Sequence, residues 1–270
     1  MMTAPGAQMS ASGMSSGAVP ILVCLLGGFR VLKLGMPVNL RSGGKGEQLL
    51  GTLALRSPRG VPRGDIIGML WPDAESSLAH QSLNTLIYSL HRSLGDALAG
   101  QQPVLVREGL CRLNAEQGVA VDVAAFDLAA SAGDRLSTFG DNRAALAPYA
   151  EALRLYDGDL VVGSDLPHLV ERERLRSRYL AILAWVADHH FEDGDSRAAL
   201  TSALELLSHD PCREDAHRMA MRCYVRLGAR AQALRQYRIC REVLAEEFQA
   251  RPEDATEVLY ELVRLEPARV

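Results

Sequence analysis

The sequence predicts a mostly α-helical protein, with a small β component in its first half and an all-α second half. Three observations predict it. At 270 residues the chain exceeds the usual size of one domain, so two hydrophobic cores are expected. Strand signals are confined to residues 21–40 and 104–113. From Val121 onward the pattern is helical, broken only by short turns.

Taken in order, residues 1–19 are rich in Ser, Gly, Ala and Met and read as a disordered tail. No basic stretch precedes the apolar run Ile21–Leu26, which is also short for a secretion signal. That run reads as a strand, followed by Gly27-Gly28, by Phe29, Val31 and Leu34, and by a turn at Gly35-Met36-Pro37, giving a small antiparallel sheet that ends near Leu40. A helix is expected over 47–56, with Leu49, Leu50, Leu53 and Ala54 on one face, stopped by Ser57-Pro58-Arg59-Gly60. A second helix, about 63–70, ends at Trp71-Pro72. The third, about 76–94, carries Leu83, Leu86, Ile87, Leu90 and Leu94 in a narrow stripe at about 100° per residue. Its other side presents Gln81, Asn84, Thr85, Tyr88 and Arg92. Val104–Arg107 and Cys111–Leu113 flank Glu108-Gly109, a hairpin signal. A sheet, three helices and a hairpin, in that order, are the elements of a winged helix-turn-helix.

The second half reads as helices over about 123–132, 142–156, 165–192, 196–208, 213–227, 230–248 and 253–265. It contains an internal repeat. Gly194 and Gly228 are 34 residues apart, as are Ala199 and Ala233, and Leu200 and Leu234. Pro211 closes the first unit and Tyr237 packs in the second. Glycine at the turn and small residues early in the following helix, at that period, are the tetratricopeptide spacing, because paired antiparallel helices must approach closely there.

Composition narrows the function. The net charge is −4, but residues 1–116 hold 10 Lys and Arg against 7 Asp and Glu, whereas residues 117–270 hold 19 against 26. A slightly basic half joined to an acidic one suits a separate nucleic-acid-binding module. The five cysteines form no CxxC pair and suit buried thiols in a reducing cytoplasm. No apolar run approaches the roughly 18 residues of a membrane span, so no membrane partner is expected. Gly43-Gly44-Lys45-Gly46 lacks the phosphate-loop spacing and reads either as a turn or as a DNA phosphate contact at a helix start. His189-His190 point to different sides of a helix, so no metal site is expected. With no nucleophile–base set, paired carboxylates or cofactor fingerprint, the sequence reads as a protein that is not an enzyme.

From Val38-Asn39-Leu40 to Leu94, including Leu70-Trp71-Pro72-Asp73 and the Leu83–Leu94 stripe, the chain resembles the OmpR-type winged helix of the Streptomyces antibiotic regulatory protein family. Val121-Asp122-Val123-Ala124-Ala125-Phe126, Tyr156-Asp157-Gly158-Asp159-Leu160, Glu171-Arg172-Glu173-Arg174-Leu175, Leu244-Ala245-Glu246-Glu247 and Arg251-Pro252 resemble that family's bacterial transcriptional activator domain. The resemblance implies a winged-helix DNA-binding domain over 20–116 and a tetratricopeptide-like activator domain over 117–270. It further implies a cytoplasmic transcription activator that binds double-stranded promoter DNA and forms a homodimer. The third helix would enter the major groove, and the loop holding Trp71, Asp73 and Glu75 would touch RNA polymerase.

The base-reading candidates are Gln81 and Asn84, able to pair with adenine, Thr85 for a thymine methyl, and Tyr88, with His91 and Arg92 farther along. Lys45, Arg59, Arg63, Arg107 and Arg112 are the candidate phosphate contacts. Periodicity alone favours reading these residues as the solvated face of an amphipathic helix, and the winged-helix context reverses that preference. The sequence departs from the family in having one arginine in this helix and Cys111 where an aromatic is usual near the wing. Two other readings remain open: an interaction scaffold with a degenerate winged helix, and a regulator gated by an anionic, nucleotide-type effector held at Arg172, Arg174, Arg176 and Arg178. In the second case the bland alternative is a helix surface neutralised by Glu171 and Glu173.

Overall fold

The computed structural model describes residues 19–40, 43–161 and 166–270. The expected tail, apart from Val19, lies outside the described residues. The chain divides into two compact units, one running to Phe126 and including Asp157–Leu169, the other comprising Asp127–Tyr156 and Val170–Val270. The first unit therefore extends past the boundary at 116/117 that the sequence suggests.

In the first unit β1 (Ile21–Cys24), β2 (Arg30–Lys33) and β3 (Met36–Pro37) form an antiparallel meander. Three helices follow: α1 (Lys45–Leu55), α2 (Arg63–Leu70), preceded by the short β4 (Val61–Pro62), and α3 (Ser76–Leu94). The wing is the hairpin of β5 (Val104–Arg107) and β6 (Leu110–Leu113), with β4 paired to β6. Its two-residue turn has positive φ at both Glu108 (52°) and Gly109 (77°), the geometry whose twist matches the flanking strands. A seventh strand, β7 (Val119–Val121), runs parallel to β1 and completes a sheet of order β3-β2-β1-β7. The core is mainly apolar, with Ile21, Leu25, Leu49, Leu53, Ile66, Leu83 and Leu94 fully buried, and it also encloses Asn114 and Asp122. Cys111, at the position of the expected aromatic, is fully buried in the wing, and burial raises its thiol pKa.

Beyond Cys24 the chain is held by the returning segment 157–161. Leu26 bridges Leu160, and Gly27 N–H donates to the Asp159 carbonyl at 3.1 Å. Gly27 has φ of 73°, and a Cβ there would lie 2.3 Å from the Asp157 carbonyl oxygen. A Gly27→Ala variant should therefore lose about 2–4 kcal/mol, from backbone strain plus a clash with main chain that cannot yield. Denaturant titration of the first unit measures it, and a loss below about 1 kcal/mol would show that the contact relaxes.

The second unit is helical. The elements α4 (Asp122–Thr138) and α6 (Leu166–Glu192) each begin in the first unit and continue here, joined by α5 (Asn142–Leu155), α7 (Ser196–His209), α8 (Glu214–Arg226), α9 (Arg230–Phe248) and α10 (Asp254–Leu265). The repeat is visible in the packing. Gly194 and Gly228 both take positive φ at helix–helix turns, and Ala199 and Ala233 are both fully buried. Ala199 packs with Phe191, Ala203 and Ala220, while Ala233 packs with Met221, Tyr237 and Val263. The chain is thus mostly α with a winged helix-turn-helix first and a tetratricopeptide-like repeat second.

Candidate nucleic-acid interface

The sequence of α3 separates its two sides cleanly. Ala79, Leu83, Leu90 and Leu94 are buried, anchoring the helix in the first unit. Gln81, Asn84, Thr85, Tyr88 and Arg92 are exposed and, at about 100° per residue, fall within roughly a third of the circumference. Tyr88 is 61% exposed, unusual for a large aromatic with an apolar core close by. The Thr85 hydroxyl donates to the Gln81 carbonyl at 3.0 Å, so its one donor is turned back onto the helix. That leaves the methyl and the hydroxyl lone pairs as the groups it can offer to a ligand.

The other candidates divide into those that share this side and those that do not. Arg92 and Arg107 are exposed and, among the described residues, form no ion pair or side-chain hydrogen bond. Arg63, the first residue of α2, donates to Asn84 Oδ1 at 2.7 Å and to the His80 carbonyl at 3.4 Å. His91 leaves the group: it is half-buried, its Nδ1 is enclosed without a partner, and a Cβ on Gly95 would lie 2.7 Å from that atom. At about 100° per residue it falls about 20° beyond Asn84, at the edge of the polar arc, where its ring turns toward Gly95. Arg112 is half-buried and lies 3.7 Å from Glu116, its own neighbour along the chain. Lys45 donates to the Leu70 carbonyl and sits over the Trp71 ring, 4.4 Å from its centre. It braces the α2–α3 loop instead of standing free at the α1 start.

That loop carries Trp71 half-buried and Asp73 and Glu75 exposed. With Lys45 it walls a groove of about 470 Å³ whose other side is Leu78, Gln81, Thr85 and Ser89 of α3. Arg56 is an exposed cation that the local sequence pattern does not single out. With Arg59 it forms a further exposed pair of cations without ion pairs among the described residues. Their loop lies on β6, since a Cβ on Gly60 would come within 2.8 Å of the Cys111 carbonyl oxygen. The signal was the Arg-Ser-Pro-Arg-Gly stretch itself, which reads first as a helix stop.

The arginine run of α6 is engaged internally. Arg174 bonds Asp127 and Glu171 at 2.7 and 2.8 Å, and Arg178 bonds Asp127, Ser131 and Asp134. Arg176 donates to the His209 carbonyl at 2.6 Å, and Arg172 is half-buried. Three of the four are thus committed to tying α6 to α4 and to the end of α7, which removes the open anion cradle that their spacing suggests. Among the described residues no cluster of three or more His, Cys, Asp or Glu side chains could hold a metal ion, and no helix is long and apolar enough to cross a membrane.

Comparison with known proteins places the chain. It is 29% identical over 224 residues to Regulatory protein AfsR of Streptomyces coelicolor, a match covering 82% of this chain and 22% of that protein. Regulatory protein AfsR of Streptomyces griseus is 28% identical over 217 residues, covering 79% of this chain and 22% of that protein. The chain thus spans about a fifth of the length of these curated relatives. A solved structure of Mycobacterium tuberculosis EmbR, in complex with a low-affinity phosphopeptide, superposes with a TM-score of 0.66 at 22% identity. It covers 91% of this chain and 65% of that one, and at this identity it shows a shared fold. The profile of the Bacterial transcriptional activator domain matches residues 121–264, more than half of the chain. The chain belongs to the bacterial transcriptional activator domain family.

Proposed function

We propose that the chain is a transcription regulator that binds double-stranded promoter DNA through the polar side of α3. In this reading the wing and the Arg56–Gly60 loop meet the phosphates. Trp71, Asp73 and Glu75 meet RNA polymerase, and the helical repeat governs activation through a homodimer or another partner. The single observation that supports it best is the exposure of Gln81, Asn84, Thr85, Tyr88 and Arg92 along one side of a helix whose other side is core. Short amides, a threonine methyl and a flanking guanidinium are the groups that read base edges and hold a backbone. An anionic effector at the α6 arginines finds less support, because Arg174, Arg176 and Arg178 already have partners.

Electrostatics sets the expected strength. Arg56, Arg59, Arg92 and Arg107 are the cations of the first unit best placed to meet phosphates. Four such contacts correspond to a log–log salt slope of about −3.6 for each protein bound. Affinity should then fall on the order of a hundredfold between 50 and 200 mM salt. The test is selection of duplexes from a random pool by the full chain, followed by anisotropy titration across that salt range. A selected motif with a slope near −3 to −4 is expected. Failure to enrich any sequence at low salt would overturn the reading.

A further inference from the structure

The contact between Arg63 and Asn84 does more than join two helices. Arginine has only donors, so the atom it meets at 2.7 Å must be the amide oxygen, and Nδ2 is left as the end of Asn84 that the arginine does not engage. The arginine makes two further contacts. Its main-chain N–H donates to the Gly109 carbonyl in the wing turn at 2.8 Å, and its guanidinium also reaches the His80 carbonyl. Asn84 is therefore an oriented amide with a cation beside its oxygen.

Orientation decides what the amide can read. An unconstrained asparagine pairs with adenine by accepting from N6 and donating to N7. Here the oxygen already accepts from a guanidinium, and an adenine amino group would have to approach next to that positive donor. Guanine instead presents two acceptors, N7 and O6, to the two free N–H bonds of Nδ2 and to the remaining guanidinium donors. We infer that Arg63 is a positioning residue that sets the base choice of Asn84, turning it from adenine to guanine. This inference rests on the proposal that α3 reads DNA.

The experiment compares selected duplex motifs for the full-length wild type and for Arg63→Ala, Arg63→Lys and Asn84→Ala, with affinity and salt slope measured for each. The wild type should prefer guanine at one position, and Asn84→Ala should flatten that position alone. Arg63→Ala should move the adenine-to-guanine ratio there by about fivefold or more toward adenine, the scale of one good base contact. Arg63→Lys, which keeps a cationic donor, should hold the guanine preference. A uniform loss of affinity in Arg63→Ala with an unchanged motif would overturn the inference and make Arg63 a phosphate contact alone. A wild-type preference for adenine at the Asn84 position would overturn it too. A wild type that enriches no motif would sink the DNA reading itself, and the inference with it.

Discussion

Replacing Asp122 by alanine should lower the stability of the first unit by about 3 kcal/mol, most clearly below pH 5. The carboxylate is buried and accepts from Leu25 N–H at 2.8 and 2.9 Å, from Leu26 N–H at 2.9 Å and from Val123 N–H at 2.8 Å. It thus finishes the hydrogen bonding of β1 where the strand leaves its ladder. Removing it strands buried main-chain donors, each of which costs about 1–3 kcal/mol. Burial raises the pKa of Asp122 from its ordinary 3.8 to about 6, against the opposing pull of the three N–H donors and the Arg30 charge. A folded pKa above the unfolded one means that its stability contribution is full below about pH 4 and is lost as pH rises through about 6. The advantage of the wild type over Asp122→Asn, which cannot titrate, should accordingly shrink by about 3 kcal/mol between pH 4 and pH 7. Trp71 fluorescence in a Trp185→Phe background reports the first unit. A pH-independent difference between the two proteins would show that the carboxyl is not the titrating group.

Reversing two charges, Arg92→Glu with Arg107→Glu, should weaken DNA binding on the order of a hundredfold at moderate salt and flatten the salt slope by about 1.8. The two arginines sit at the far end of α3 and at the tip of the wing, and neither has an intramolecular partner among the described residues. Exposed, unpartnered side chains contribute little to the fold, so the unfolding midpoint should move by less than about 0.5 kcal/mol equivalent. Lost affinity with a retained fold assigns both residues to the interface. The same reversal at Arg174 should behave oppositely, loosening the second unit by breaking contacts to Asp127 and Glu171 while leaving DNA affinity alone. Binding that survives the double reversal unchanged would remove both residues from the phosphate contacts.

Most of the helices were legible because they advertise themselves locally. The stripe of α3 and the 34-residue repeat of Gly194 and Gly228 depend only on neighbours a few turns away. Hidden features depended on distant partners. The strands β4 and β7 are two and three residues long, and β7 exists because Val119–Val121 pairs with Ile21–Val23 from the other end of the unit. Asp122 looks like an ordinary polar helix start until β1 arrives above it. The α6 arginines look like an anion cradle because Asp127 and Asp134, which occupy them, lie 44–51 residues earlier. His91 was misplaced for a different reason. It sits at the border of the polar arc, where a single turn angle decides between solvent and the Gly95 backbone.

Where α3 goes on DNA can be measured directly. A photoreactive phenylalanine analogue in place of Tyr88, in the full-length chain bound to its selected duplex, should crosslink to a base through the major groove. Retarded complexes that crosslink only to protein, or not at all, would contradict the assignment of that helix face to base reading.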